Sequence, residues 1–271
     1  MGIKIISRHA TSIVALFAAT ALLLACQQTA QPRGESQTGS LKVGASPGKA
    51  VVVSTAGAQL HRMHVGQTVF GNSADKVDVA PNLLDDPLSD LLASSLSTPS
   101  QLFVTAQRPS GLALTVNSLR TRYENPIWRA AVWEGWQDHA PVFRRIAQTA
   151  QASTVVLLHP AQNGDSMGGG SGAPRGLSIY TERFMTQPLT FAMVQIILID
   201  GSTGMPYERF ALLAEDGIFK ATPRGAMSSA YREKPLSSYS ATDYETFLSS
   251  IRRKLSESFT RSSKSVLENL K

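Results

Sequence analysis

The sequence predicts an α/β fold: one domain in which helices pack against a mixed β-sheet. Three stretches predict it. Leu189–Asp200 is apolar at both parities, Phe191, Met193, Ile197 and Ile199 against Ala192, Val194, Ile196 and Leu198, which is how a strand buried on both faces reads. Ala50-Val51-Val52-Val53-Ser54-Thr55 and Thr154-Val155-Val156-Leu157-Leu158 are short β-branched runs separated by helical patterns. Tyr244, Phe247, Leu248, Ile251, Leu255 and Phe259 form one stripe at helical spacing near the carboxyl end.

In chain order, the domain opens with the strand at Ala50–Thr55. A second strand is expected through Val65–Phe70, then a turn at Gly71-Asn72-Ser73 and a third strand over Lys76–Val79. Pro81 and Asp85-Asp86-Pro87 announce a helix, because proline suits a first turn and carboxylates suit an amino end. Leu88, Leu91, Leu92 and Leu96 continue it at helical spacing and Pro99 stops it. Gln101–Gln107 and Leu112–Val116 have strand character. Asn125-Pro126 opens a second helical region, which Pro141 must break or restart. Val142, Phe143, Ile146 and Ala150 then lead into the strand at Thr154. Asn163–Gly176 is the loosest segment, with six glycines. Leu177–Thr181 resumes a strand, and Asp200-Gly201-Ser202-Thr203-Gly204 turns the central strand back into Tyr207–Ala214. The last helix begins at Thr242-Asp243-Tyr244-Glu245, which has capping-box spacing.

Ahead of this domain lies a different kind of sequence. Lys4 and Arg8 precede an apolar run from Thr11 to Ala25, too short for a comfortable membrane span of roughly 20 residues. The run ends at Leu23-Leu24-Ala25-Cys26, and Cys26 is the only cysteine of the chain. Positive, apolar and small residues in that order mark a secretory signal. The stretch resembles the lipobox of bacterial lipoproteins, which implies that Cys26 receives lipid and becomes the first mature residue. Gln27 to about Lys49 is rich in Gln, Gly, Ser and Thr and cannot bury enough surface to offset its ordering entropy, so a flexible tether is expected. The chain thus divides into a signal peptide at 1–25, a lipidated cysteine with tether at 26–49, and an α/β envelope domain at 50–271. Gln27 after the cysteine, in place of an aspartate, implies by the same resemblance an outer-membrane address with the domain in the periplasm.

Composition narrows the partners. The signal carries two basic residues and no acids, so the remainder has 24 basic and 20 acidic side chains. That excess is modest and suggests no nucleic-acid footprint. With its one thiol given to lipid, the domain has no disulfide and must hold itself by its core.

Few residues offer chemistry. Gly164-Asp165-Ser166 resembles the nucleophile block of the GDSL hydrolases, but that family takes its base from an Asp-x-x-His near the carboxyl end, and no histidine follows His159 here. Met167-Gly168-Gly169-Gly170 also stands where a helix should follow the serine, so a loop is the better reading. His61 and His64 lie three apart, expected on a strand or its bend and so on opposite faces, with no further ligand nearby, and no metal site is assigned. The glycine-rich loop lacks the Gly-Lys-Ser/Thr ending of a phosphate loop, and no cofactor is implied. Trp128, Trp133 and Trp136 could stack on sugars, though anchoring a core suits them better. Arg252, Arg253 and Lys264 fall outside the apolar stripe of the last helix; a solvated face is the plain reading, and a partner or anionic lipid the functional one.

The run Ala147–Leu158, a helix end followed by an apolar strand, is similar to a unit of the envelope proteins related to the TolB amino-terminal domain, CsgG and LpoB. Ile196–Gly204 resembles the strand and "D-x-x-T-G" turn that those proteins share, and Phe70-Gly71-Asn72-Ser73 matches their "F-x-N-x-S" pattern in part. The relatives are adaptors, secretion components and synthase activators. The resemblance therefore implies a non-enzymatic lipoprotein that docks an envelope or peptidoglycan-associated partner, with Arg252, Arg253 and Lys264 as its candidate face. The competing class is an envelope hydrolase built on Asp165 and Ser166.

Overall fold

The computed structural model describes residues 49–66, 72–98, 101, 103–112, 121–122, 132–133, 135–161, 176–212 and 223–271. Strands β1 (Ala50–Ser54), β2 (Gln59–Val65) and β3 (Ser73–Asp78) lead into helix α1 (Pro81–Leu96) and strand β4 (Phe103–Thr105). Thr121–Arg122 (β5) pairs with Val132–Trp133 (β6) in a separate two-stranded ladder. Helix α2 (Ala140–Ala150), β7 (Thr154–Pro160), β8 (Gly176–Glu182), β9 (Leu189–Asp200), β10 (Pro206–Ala211), β11 (Arg224–Ala226) and helix α3 (Ala241–Glu268) complete the chain. This is the mixed sheet packed by helices that the sequence predicts.

The sheet is organised on β9. Its second half pairs with β7 and its first half with β8, through the consecutive rungs Pro160↔Val194 and Gly176↔Met193. On its other edge lie β10 and β11. β1 is parallel to β7 and β2 is parallel to β8. Thus β1 and β2, like β7 and β8, run end to end in one direction while β9 returns beside them. With about 3.3 Å per residue, the twelve residues of β9 span roughly 40 Å. One pole of the domain holds Ala50, Thr154 and Asp200; the other holds Val65, Glu182 and Leu189.

Alternation sends the two faces of these strands into two cores. Val52, Val156, Leu158, Ile196 and Leu198 pack under α1 and α3. Val51, Val53, Val155, Leu157, Ile197 and Ile199 pack under α2 with Phe143 and Trp136. Of the ten side chains of β9 from Thr190 to Ile199, nine are buried and Phe191 is half-buried, which agrees with a central position. The twenty-eight residues of α3 extend about 42 Å; Ser250 meets Thr190 near the start of β9, and from there the helix runs along the strand to its carboxyl end. Gly225 on β11 lets the helix approach closely, since a side chain there would collide with the Ser250 carbonyl.

The turn after β9 explains its own sequence. Asp200 Oδ1 accepts from the amides of Ser202 (2.9 Å) and Thr203 (3.1 Å), and Thr203 Oγ1 accepts from that of Met205 (3.2 Å). Gly204 adopts φ +71 against the Ala140 carbonyl, a place for no side chain.

Several boundaries differ from the sequence reading. The second strand is Gln59–Val65 rather than Val65–Phe70, because its ladder to β8 begins at Leu60↔Leu177; the Gly71 turn is outside the described residues. Val132–Trp133 is a strand where a helix from Asn125 was expected, and α2 starts only at Ala140, with Pro141 in its first turn. Helix α1 starts at Pro81, so Pro87 sits in its interior. The cap of α3 is Ser240 with Asp243, two residues before Thr242 and Glu245.

Candidate functional site

A cluster of buried polar groups, Ser54, Thr55, Asp85 and His159, lies halfway along the sheet, where β1 gives way to β2 and β7 to β8. Each strand run is interrupted there, so backbone and side-chain polar atoms need local partners. On the face toward α1, Asp85 is 1% exposed. Its Oδ1 accepts from Ser54 Oγ (2.8 Å) and the Gly57 amide (2.7 Å), and its Oδ2 meets Arg108 Nε at 2.7 Å. Arg108 also donates to the Val79 carbonyl (2.8 Å), tying the segment after β4 to the start of α1. Gly57 has no alternative, since a Cβ there would strike Leu84. On the opposite face, His159 is buried with Nδ1 3.3 Å from Thr55 Oγ1 and its ring edge-on to Trp136.

Burial dominates the titration of both groups. It raises the Asp85 carboxyl to about 6, outweighing Ser54, Arg108 and Gly57, which pull it down. It lowers the His159 imidazole to about 3. The two act oppositely on stability. A carboxyl raised in the fold stabilises most below its unfolded value near 4, and that contribution is lost as pH rises through 6, about 3 kcal/mol in all. A buried neutral histidine stabilises above its unfolded value near 6.5 and loses that as pH falls toward 3. Chemical denaturation between pH 7.5 and 5 should therefore show His159→Gln gaining stability and Asp85→Asn losing it as pH falls. Parallel profiles for the two variants would contradict this assignment.

At the pole of Val65 and Leu189, a clamp fastens the approach to α3. Arg62 donates to the carbonyls of Lys234 and Tyr231 and to the Tyr239 hydroxyl. Lys234 binds both oxygens of Asp243 at 2.8 Å and lies over the Tyr231 and Tyr239 rings. The Lys234 ammonium and the Ser240 amide and hydroxyl hold the Asp243 carboxyl well below the usual range. Beyond the clamp, the turn between β8 and β9 exposes Phe184 at 77%, alone among the large hydrophobics of the described residues, with the Arg183 guanidinium over its ring at 5.9 Å.

At the other pole, the Ser153 amide donates to the Lys49 carbonyl (2.9 Å), and Ser153 Oγ donates to the Lys271 carbonyl (2.7 Å). Lys271 Nζ lies 3.3 Å from Asp200 Oδ2 and over the Tyr207 ring. The outer side of α3 descends toward this corner. Arg252 and Arg253 follow Ser250, whose hydroxyl meets Thr190 Oγ1 at 2.8 Å near the Leu189 pole; Arg252 is exposed, Arg253 is 77% exposed and paired with Glu257 (2.8 Å), and Lys264, nearer the corner, is 85% exposed, 3.9 Å from Glu268.

The sequence candidates thus scatter. Arg252, Arg253 and Lys264 share the outside of α3. His61 and His64 occupy β2 three residues apart, and His64 Nδ1 lies 2.9 Å from Thr181 Oγ1. Among the described residues no three His, Cys, Asp or Glu side chains cluster as a metal site. Trp136 is core, 1% exposed. Cys26, Asp165, Ser166 and Trp128, and the Trp133 side chain, lie outside the described residues. The Asp85–Arg108 pair was not anticipated. Its only sequence signal is Asp85 inside a leucine-rich helix, which the neighbouring proline made look like a helix start.

Among the described residues no helix is long and apolar enough to cross a membrane. No family model matches the chain, and none of the curated proteins matches it. Solved structures with similarity include the hypothetical protein CT253 of Chlamydia trachomatis, at 12% identity and TM-score 0.32 over 83% of this chain and 98% of that one. A PelC dodecamer of Paraburkholderia phytofirmans aligns at 14% and 0.27, over 80% and 91%. Lipoprotein GNA1162 of Neisseria meningitidis aligns at 12% and 0.26, over 78% and 99%. At such TM-scores the overlaps are loose, and the architecture rests on this chain's own strand ladders.

Proposed function

We propose that this chain is a non-enzymatic, lipid-anchored lipoprotein of the bacterial outer membrane, its domain in the periplasm, that serves as an envelope adaptor or assembly module. The observation that carries the reading is the separation of its two ends. The chain from Cys26 joins the domain at Lys49, while the exposed Phe184 turn stands at the far pole, roughly 40 Å away along β9. An aromatic ring under an arginine is the kind of side-chain pair that anchors protein interfaces. The buried polar groups support a structural role rather than a catalytic one. Asp85 spends its oxygens on Ser54, Gly57 and Arg108, and an imidazole held near 3 accepts protons poorly at neutral pH.

A photocrosslinking residue in place of Phe184, in intact envelopes, tests both halves. It should yield a discrete protein adduct that disappears with Cys26→Ser, and Cys26→Ser should abolish palmitate labelling and membrane retention. An adduct-free Phe184 position removes the adaptor reading, and labelled, membrane-bound Cys26→Ser protein removes the anchor.

A further inference from the structure

We propose that the corner between the β9–β10 turn and the carboxyl end of α2 is a receptor for the lysine-type side chain of an extended peptide, and that Lys271 fills it in cis. The corner stands at the pole opposite the Phe184 turn, and its chemistry is independent of the lipid anchor. The side chain already seated there defines the ligand class. Lys271 lies two residues beyond Asn269, the cap of α3, and its ammonium sits 4.2 Å over the Tyr207 ring and 3.3 Å from Asp200 Oδ2. Its carbonyl accepts from Ser153 Oγ at 2.7 Å and, more loosely, from Thr154 Oγ1 at 3.5 Å. An aromatic face, a carboxylate and two hydroxyls thus read the ammonium and the peptide carbonyl of one residue.

The receiving groups are positioned by bonds of their own. Asp200 spends Oδ1 on the turn, accepting from the Ser202 amide and hydroxyl and from the Thr203 amide, which leaves Oδ2 for a cation. Burial raises the Asp200 carboxyl, but the bonds from Ser202, Thr203 and Lys271 outweigh it and hold the group at about 2, so it is ionised at neutral pH. The Tyr207 hydroxyl donates to the Asn269 carbonyl (3.1 Å), which fixes the ring. Lys271, by contrast, is held lightly. Its side chain is 54% exposed, and a cation over a ring or beside a carboxylate gains little in water. The site also continues past it. An open cleft of about 410 Å³ runs from Lys271 and Asp200 along Ser202, Gln148 and Gln151, whose hydroxyl and carboxamides suit a peptide backbone. The carboxyl end of α2 borders the same cleft, and its partial negative charge favours a cation there. A lysine or other diamino-acid residue of a partner peptide would therefore repeat the contacts of Lys271 and add others along the cleft.

The test titrates the full chain, in detergent micelles, against a dye-labelled glycine-lysine-glycine peptide with blocked ends, read by fluorescence anisotropy. The same peptide with norleucine in place of lysine is the control. A competitor in cis lowers the apparent affinity by the fraction of time it fills the site, so Lys271→Ala should bind the lysine peptide roughly tenfold more tightly than the parent chain. The norleucine peptide should bind neither. In the Lys271→Ala background, Asp200→Asn keeps the acceptor that the turn amides use and removes the charge. It should weaken binding roughly tenfold while leaving the melting temperature unchanged. Equal affinity for the parent chain and Lys271→Ala, equal binding of the norleucine peptide, or no binding by a Lys271→Ala protein that melts normally would each overturn the proposal. Should alanine loosen the end of α3, seen as a lower melt, Lys271→Met keeps the stem without the charge and decides the same comparison.

Discussion

Asp85→Ala is expected to destabilise the domain by about 3–5 kcal/mol at pH 7.5, because it leaves Arg108 charged and nearly enclosed without its carboxylate. Ser54 Oγ and the Gly57 amide lose their acceptor in the same stroke. Chemical denaturation should show the loss as a lower midpoint with an unchanged slope. The double variant Asp85→Leu with Arg108→Met separates charge from packing. If the uncompensated guanidinium is the cause, the double variant should recover most of the stability, since apolar replacements of a buried pair are often neutral or better. A double variant as weak as Asp85→Ala would place the cost in the backbone turn around Gly57.

Phe247→Ala should cost a similar 3–5 kcal/mol. Its ring is fully buried where α3 lies on the sheet, and deletion leaves a cavity that a helix pinned at both ends cannot collapse. The pins are the Ser240–Asp243 cap with its Lys234 bridge at one end and the Tyr207–Asn269 hydrogen bond at the other. Reversing Arg252 and Arg253 to Glu on the same helix should change stability by no more than about 0.5 kcal/mol, as exposed pairs contribute little. Thermal melts of the two variants should differ sharply. Matching melts would mean that α3 is not held by its apolar stripe.

What could be read from the sequence was what periodicity writes. Leu189–Asp200 announces β9 because both of its faces are covered, and the stripe from Tyr244 to Phe259 announces α3 because only one of its faces is. β2 escaped because His61, Arg62 and His64 interrupt any apolar alternation, and its place is set by pairing with β8 and by Arg62 reaching the Tyr231–Lys234 segment. The start of α1 was blurred by Pro87, which a helix interior tolerates here for the loss of one backbone bond. The Asp85–Arg108 pair joins residues 23 apart across a helix and a loop, and no local pattern encodes such a meeting. The meeting of Lys49 and Lys271 at Ser153 likewise arises only once β1 and β7 lie side by side.

The junction between β7 and β8 has a consequence for the connection that it carries. Because the chain leaves β9 at the Val194 rung and rejoins at the adjacent Met193 rung, the ladder is continuous whatever length of sequence intervenes. Loop-closure entropy grows by only about 0.6 kcal/mol for each doubling of length. Lengthening the connection between Ala161 and Gly176 therefore costs little in closure entropy. A change in the length of that connection leaves each rung of the β7–β9–β8 ladder in register, so the size of the connection and the pairing of the sheet are set separately.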